Sequence, residues 1–151
     1  MVYFTKDVSE TEEVGRRLAE EFIRRWVRRG FIAMRGEMGV GKTAFVRGFA
    51  GAFGIPRVKS PTYTIVNEYT GDGGVHIYHF DMYRITDGDD LYSTGYDDYI
   101  SHDGFCIAEW SENVAEYLPR ERVVVTISRT DDGNGRKIEI TEGVFDVHTG
   151  V

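Results

Sequence analysis

The stretch RGEMGVGKTAF at residues 35–45 follows the apolar run FIAM at 31–34 and matches the pattern GxxxxGK[ST] from Gly36 to Thr43. In this pattern the glycines let backbone N–H groups turn inward around phosphates, the lysine neutralises the terminal phosphates and the threonine hydroxyl ligates magnesium. Residues 31–34 are predicted to form a strand and 43–53 a helix, so the loop lies in the order that phosphate binding requires. The predicted phosphate contacts are Lys42, Thr43, Ala44 and the backbone of Glu37, Met38, Gly39, Val40 and Gly41.

Two carboxylates follow apolar segments further along the chain. Asp81 comes after HIYHF, and Glu109 ends FCIAE. A phosphate loop needs a carboxylate at the end of a neighbouring strand to hold the magnesium shell. A second carboxylate near the terminal phosphate either ligates the metal or orients the attacking water. We therefore predict Lys42, Asp81 and Glu109 as catalytic residues, and Thr43, Asp81 and Glu109 as magnesium ligands.

The loop PRVKSPT at 56–62 carries two hydroxyl groups between prolines. Ser60 and Thr62 stand where a switch segment senses magnesium and the γ-phosphate. Simple turn chemistry explains them equally well, so both interpretations stay open. Trp110, next to Glu109, is more typical of a core residue than of a ligand contact.

The segment SETE at 9–12 has the capping-box arrangement, with Ser9 as N-cap. Apolar residues at helical spacing then predict a helix from about 10 to 29, closed by Gly30. In the second helix, Gly48 and Gly51 each cost about 1 kcal/mol relative to alanine. Close packing against a sheet would compensate for that cost.

Two further pairs of segments are predicted to be β-hairpins because they are rich in β-branched and aromatic residues and flank turn sequences. They are YTIVNEY (63–69) with VHIYHFDMYR (75–84), and RVVVTISRT (122–130) with RKIEIT (136–141). Ser111 is predicted to cap a short helix through Tyr117. No helix or strand is predicted for the acidic segment that precedes FCIAEW. The combination predicts an α/β fold, a P-loop NTPase-like three-layer domain with a mixed, partly antiparallel sheet.

Composition limits the class of protein. The 151 residues predict a single domain over 1–151. A net charge of −7 argues against a broad basic surface that holds nucleic acid alone. Cys106, the single cysteine, excludes an internal disulfide and is predicted to be core. Short apolar runs and the absence of a signal-peptide pattern predict no membrane association and a cytoplasmic location.

The order of several motifs resembles the bacterial TsaE family, also called YjeE. The matching landmarks, over about residues 9–117, are SETEEVGRRLA, RGEMGVGKTAFVRG, VKSPTYTIVNEY, HFDMYR, DDLYSTGYDDY and AEWSENV. SPTYT near a phosphate loop, followed by HFDMYR and EW, is far more specific than the loop alone. The family usually has proline after the tryptophan, where this chain has Ser111.

The resemblance implies an ATPase that uses Mg²⁺ and works with the TsaB and TsaD proteins. That assembly transfers a threonylcarbamoyl group to the adenosine beside the anticodon of tRNA, and the tRNA would be reached indirectly through the complex. The resemblance also implies that Asp81 is the Walker B-like acid and Thr62 the switch residue. The other implied contacts are Thr43 and Glu109 to magnesium, Trp110 to the nucleotide, and Thr11 and Arg136 to its adenosine part.

Three alternatives use the same loop. A small-molecule kinase would move the γ-phosphate to a metabolite, but it needs an Arg-bearing lid, and no segment has that composition. A GTPase is disfavoured because no NKxD element is present. A nucleotide-gated binding module with negligible turnover is the third alternative.

Overall fold

The computed structural model describes residues 1–61 and 65–144 of the chain. Within them, seven strands form one sheet in the order β1-β7-β6-β2-β5-β4-β3. The strands are β1 Val2–Thr5, β2 Gly30–Arg35, β3 Val66–Thr70, β4 His76–Asp81, β5 Phe105–Glu109, β6 Glu121–Arg129 and β7 Arg136–Val144. The helices are α1 Val8–Arg24, α2 Lys42–Gly51, α3 Gly88–Ser93 and α4 Tyr96–Ser101, with 3-10 helices at Asp72–Gly74 and Ser111–Tyr117. Strands β6, β2, β5 and β4 run parallel, whereas the outer pairs are antiparallel.

Both faces of the central strand β2 are buried. Ile32 and Met34 pack in a cluster with α1 and α2, while Phe31 and Ala33 pack in a second cluster with α3 and α4. Alternation along a strand sends neighbouring side chains to opposite faces, so a strand covered on both sides is apolar throughout. The predicted three-layer α/β fold with a mixed sheet is confirmed.

Helices α1 and α2 pack against each other with their backbones unusually close. A Cβ on Gly15 would overlap the Phe45 carbonyl oxygen, and a Cβ on Gly48 would overlap the Glu12 carbonyl oxygen. Gly48 therefore packs against α1, and the predicted packing against the sheet was wrong for this residue. The close approach compensates for the low helix propensity of glycine.

We expect Gly48→Ala to lower the free energy of unfolding by about 2 kcal/mol or more, because a backbone carbonyl cannot move aside as a side chain can. Gly51→Ala is the matched control in the same helix, since its Cβ would meet only Arg16 Nη2 at 3.7 Å. That change is expected to leave stability unchanged or raise it by up to about 1 kcal/mol. Urea denaturation measures both; equal stability of the two variants would contradict the close approach.

The ends of α1 differ from the prediction. Its N-cap is Asp7, whose side chain accepts from the Glu10 N–H at 2.9 Å, so the predicted Ser9 capping box was wrong. Ser9 is already inside the helix, while Asp7 has the extended conformation an N-cap requires. The helix ends at Arg24 because Trp26 adopts a left-handed conformation with φ 59°. No glycine marks this end, and Gly30 begins β2 instead of closing the helix.

Other boundaries also moved. Strand β1 and helices α3 and α4 were not predicted, and β4 ends at Asp81 instead of continuing to Arg84. The Asp87 side chain caps α3 by accepting from the Asp90 N–H at 2.8 Å, a local signal inside an acidic segment. Ser111 begins a 3-10 helix but does not cap it; Trp110 occupies the cap position.

Cys106 is buried in the core as predicted, and burial raises the pKa of its thiol to about 12. In the described ranges, none of the helices has the length and apolar character needed to cross a bilayer. Thr62 and the start of the predicted strand 63–69 lie outside the described residues.

Candidate functional site

The glycine loop, Glu109 and Asp81 meet at the carboxyl ends of three adjacent parallel strands. The glycine loop follows β2, Glu109 ends the neighbouring β5, and Asp81 ends β4 beyond it. Asp81 and Glu109 are register partners, so their backbones lie about 4.8 Å apart. Strand alternation puts both on the face of Ile77 and Ile107, which pack in the cluster of α2. The sheet therefore presents both carboxylates on the side of the loop.

A cavity of about 690 Å³ opens between these strand ends and the loop. Its size is within the range of small-molecule and cofactor sites. The predicted residues that line it are Met38, Gly39, Gly41, Lys42, Thr43, Ser60, Asp81, Glu109 and Trp110. Pro61, Ile65, Tyr83 and Arg84 complete the wall, and the sequence analysis did not assign these four to the site.

The N-terminus of α2 is open to an anion. Gly41 occupies the cap position with φ 111°, a conformation that favours glycine, and no side chain caps the helix. The first turn carries no acidic residue. Among the described residues, no side chain accepts from the first N–H groups of α2, so these groups and the positive end of the helix dipole are open to a ligand. This arrangement suits a phosphate group.

Lys42 is a buried cation at the floor of the cavity. Its side chain is 5% exposed, and its Nζ donates to the Gly36 carbonyl oxygen at 2.6 Å. Burial lowers the pKa of Lys42, an effect opposed by the nearby carboxylates, chiefly Glu109. The Nζ also lies 3.8 Å from the ring centroid of Trp110. A buried charge that still lacks full compensation is stabilised by a polyanion.

Thr43 and Ser60 bring the second predicted segment to the loop. Their hydroxyl oxygens are 2.5 Å apart, so the proline-bracketed loop contacts the start of α2 directly. A hydroxyl has one proton and two lone pairs, so this hydrogen bond still leaves Thr43 an acceptor site for a cation.

Trp110 is a wall residue of the cavity, half-buried, with its backbone in the left-handed region at φ 59°. Its ring centroid lies 5.1 Å from that of Tyr83. The next residue, Ser111, is buried and donates to the Met34 carbonyl oxygen at 3.0 Å. This hydrogen bond attaches the Trp110 turn to the end of β2, immediately before the glycine loop.

Other predicted contacts surround the loop without lining the cavity. Val40 and Ala44 are buried in the core behind it, and exposed Glu37 pairs with Arg129 at 3.0 Å. Arg136 donates to the Val40 carbonyl oxygen at 2.9 Å. The Thr11 hydroxyl is 2.9 Å from that of Thr5, and the Thr11 methyl faces Gly41. Thr11 and Arg136 thus support the loop from the side away from the cavity. Arg129, which pairs with Glu37 of the loop, is a further supporting residue that the sequence did not indicate.

His79 is a further residue that the sequence analysis did not place in the site. It is fully buried, and its Nε2 is in hydrogen-bond contact with Glu109 Oε2. Strand alternation already put His79 on the face of Asp81, two positions away, and opposite to His76. The contact with Glu109 depends on the pairing of β4 with β5, which the sequence did not reveal.

A second cavity of about 740 Å³ lies at the opposite ends of the parallel strands. Its wall includes Phe22, Phe31 and Phe105, with Arg25 and Arg29 at its margin. These arginines are already paired, Arg25 with Glu142 and Arg29 with Asp103. The first cavity has the open helix terminus and two carboxylates that each keep one oxygen without a partner among the described residues, so it is the candidate site.

A glycine loop between a parallel strand and an uncapped helix, at the carboxyl edge of a mixed three-layer sheet, defines a P-loop NTPase-like fold. The family model described as "Threonylcarbamoyl adenosine biosynthesis protein TsaE" matches residues 5–138. The chain belongs to the TsaE family.

Known proteins support this membership in sequence and in structure. A Bacillus subtilis (strain 168) protein named "tRNA threonylcarbamoyladenosine biosynthesis protein TsaE" is 43% identical over 112 residues, covering 73% of this chain and 68% of that protein. A Haemophilus influenzae protein of the same name is 38% identical over 128 residues, covering 83% and 79%. The crystal structure of Bacillus subtilis YdiB has a TM-score of 0.75 at 31% identity, covering 94% of this chain and 84% of that one.

Proposed function

We propose that this chain binds ATP with Mg²⁺ in the cavity and hydrolyses it within the pathway that forms threonylcarbamoyladenosine in tRNA. TsaB and TsaD are the proposed protein partners. The observation that carries the proposal is the open N-terminus of α2 beside buried Lys42, facing the carboxylates of Asp81 and Glu109 across one cavity. Membership in the TsaE family supports the choice of pathway.

The donor atoms fit a magnesium-bound triphosphate. Asp81 Oδ1 accepts from the Tyr83 N–H at 2.9 Å, and Glu109 Oε2 contacts His79, so each carboxylate keeps one oxygen without a partner among the described residues. With the Thr43 hydroxyl they form an all-oxygen set, which Mg²⁺ prefers. Within residues 1–61 and 65–144, no three His, Cys, Asp or Glu side chains cluster as a metal site. Phosphate and water oxygens would complete the coordination, as is usual for magnesium in nucleotide sites.

The residues of the chain have separable tasks in this proposal. The N–H groups of the loop and of the first turn of α2 bind phosphate oxygens, and Lys42 neutralises their charge. Bound magnesium would offset the negative charge that develops on the transferred phosphoryl group. Glu109 orients the attacking water or ligates the metal, and His79 holds its carboxylate in place from behind. Ser60, in contact with Thr43, couples the proline-bracketed loop to the state of the site.

The acidic composition is compatible with work inside an assembly. A net charge of −7 argues against the broad basic surface that binding tRNA alone requires. A partner that already holds tRNA removes that requirement. Hydrolysis would then reset the conformation of the assembly, and the threonylcarbamoyl group would come from elsewhere.

The deciding experiment is phosphate release from ATP by the chain alone, with TsaB and TsaD, and with both proteins plus tRNA. We expect slow release alone and a clear increase with the partners. Release that ignores TsaB, TsaD and tRNA but rises with a small hydroxyl-bearing acceptor would favour the kinase alternative. Binding of ATP without release under any of these conditions would favour the binding module.

A further inference from the structure

Arg84 is a cation of the cavity wall that the proposed function leaves without a role. It lies just beyond Asp81 and, with Lys42, supplies the positive side chains of the described lining. Its guanidinium is exposed and makes no ion pair or hydrogen bond with the described residues. Arg129, on the other side of the loop, is paired with Glu37. The Arg84 guanidinium is therefore available to a molecule that enters the cavity.

The backbone that carries Arg84 is held on both sides. Met82 and Ile85 are buried, and the Ile85 N–H donates to the Met82 carbonyl oxygen at 3.1 Å. The Met82 N–H donates to the Glu109 carbonyl oxygen at 3.0 Å, and Asn113 Nδ2 donates to the Met82 carbonyl at 3.1 Å. Arg84 thus projects from a fixed turn tied to the end of β5. Because the backbone of Arg84 is already ordered, less conformational entropy is lost when its side chain closes on a ligand.

Lys42 and Arg84, the cations of the described lining, lie on different structural elements. Lys42 begins α2, whose open N-terminus would bind the phosphates that enter the loop. Arg84 follows the segment of Asp81, where the carboxylates and the metal they would hold define the position of the outermost phosphate. That phosphate brings added negative charge next to Asp81 and Glu109. A guanidinium on the same wall offsets the repulsion, and its planar fork can donate two hydrogen bonds to one phosphate.

We propose that Arg84 binds the terminal phosphate of the nucleotide and makes this site discriminate a nucleoside triphosphate from a diphosphate. The inference rests on the proposed function, since it needs a nucleotide in the cavity. It assigns the discrimination to a residue outside the glycine loop, so the β4 end, and not the loop alone, distinguishes the state before hydrolysis from the state after it.

The test is calorimetric titration of a non-hydrolysable ATP analogue and of ADP, each with magnesium, into the wild-type chain and three variants. Arg84→Ala is expected to weaken analogue binding by about 10- to 100-fold while ADP binding changes by less than about threefold. Arg84→Lys keeps the positive charge but loses the planar guanidinium fork. Its affinity for the analogue is expected to lie between those of the wild type and of Arg84→Ala. Arg57→Ala is the matched control, because Arg57 is also exposed and without a described partner but does not line the cavity.

The outcomes separate this inference from the proposed function. Equal weakening of the analogue and of ADP, or unchanged binding of both, in Arg84→Ala would overturn the role of Arg84 and leave nucleotide binding intact. An equal loss in Arg57→Ala would show a general charge effect and also overturn it. Failure of the wild-type chain to bind either nucleotide would defeat the proposed function itself.

Discussion

Lys42→Ala is expected to abolish detectable ATP binding, a loss of at least about 100-fold in affinity. The reason is the composition of the site. In the proposed phosphate site, the other donors at the start of α2 are backbone N–H groups, and Lys42 is the buried cation there. Its buried position gives the charge a low-dielectric setting in which charge-assisted hydrogen bonds are strong. Titration of ATP with magnesium into the variant measures the loss.

Lys42→Met is the matched control for that experiment because it removes the charge but keeps most of the side-chain volume beside Trp110. Burial lowers the pKa of Lys42, so its charged ammonium is less favourable in the folded chain than in the unfolded one. We therefore expect Lys42→Met to lose ATP binding without a lower free energy of unfolding. Retained affinity in both variants would remove the phosphate-loop assignment. Lost affinity accompanied by unfolding of both variants would leave only a structural role for Lys42.

Glu109→Gln is expected to reduce ATP turnover by about 100-fold or more while ATP affinity changes by less than about tenfold. The amide keeps the shape of the side chain and its hydrogen-bonding capacity towards His79, but it cannot act as a base or as an anionic ligand. Asp81→Asn, which keeps the acceptor for the Tyr83 N–H, should behave in the same direction. Phosphate release at saturating ATP, with the partners present, gives the turnover of each variant.

Glu112→Gln is the control for the effect of removing any negative charge near Lys42. Glu112 acts electrostatically on Lys42 and pairs with Arg35 at 3.7 Å, but it does not line the cavity. Glu112→Gln is expected to leave turnover within about threefold of the wild type, because a partly exposed ion pair contributes only a small interaction energy. Wild-type turnover in both Glu109→Gln and Asp81→Asn would show that neither carboxylate serves the chemistry.

The fold class followed from the sequence because the relevant signals are local. Apolar strands, a glycine loop and a helix in that order are encoded in contiguous residues, and β2 has the continuous apolar character of a strand buried on both faces. The ends of the helices were harder to predict from the sequence. The α1 terminus uses Trp26 in a left-handed conformation, and that conformation depends on its setting more than on residue type.

The candidate site was only partly predictable. The loop residues, Asp81 and Glu109 could be identified because each is recognisable by its place at the end of an apolar run. Thr11 and Arg136 lie near the loop, yet their polar groups bond to Thr5 and to the Val40 carbonyl. Arg84 was overlooked because the sequence suggested that a strand continued through it, whereas the strand ends at Asp81 and the chain turns there.

The sequence by itself determined the glycine loop and the strand that precedes it, and it predicted the roles of Lys42 and Thr43, because these residues are contiguous and their geometry is local. The tertiary structure alone decided which distant groups surround that loop. Sheet order places β5 beside β2 and β4 beside β5, and this order joins His79 to Glu109 and brings Arg84 into the lining of the same cavity as Lys42. Strand order depends on long-range packing of both faces of the sheet, and no short stretch of sequence encodes it.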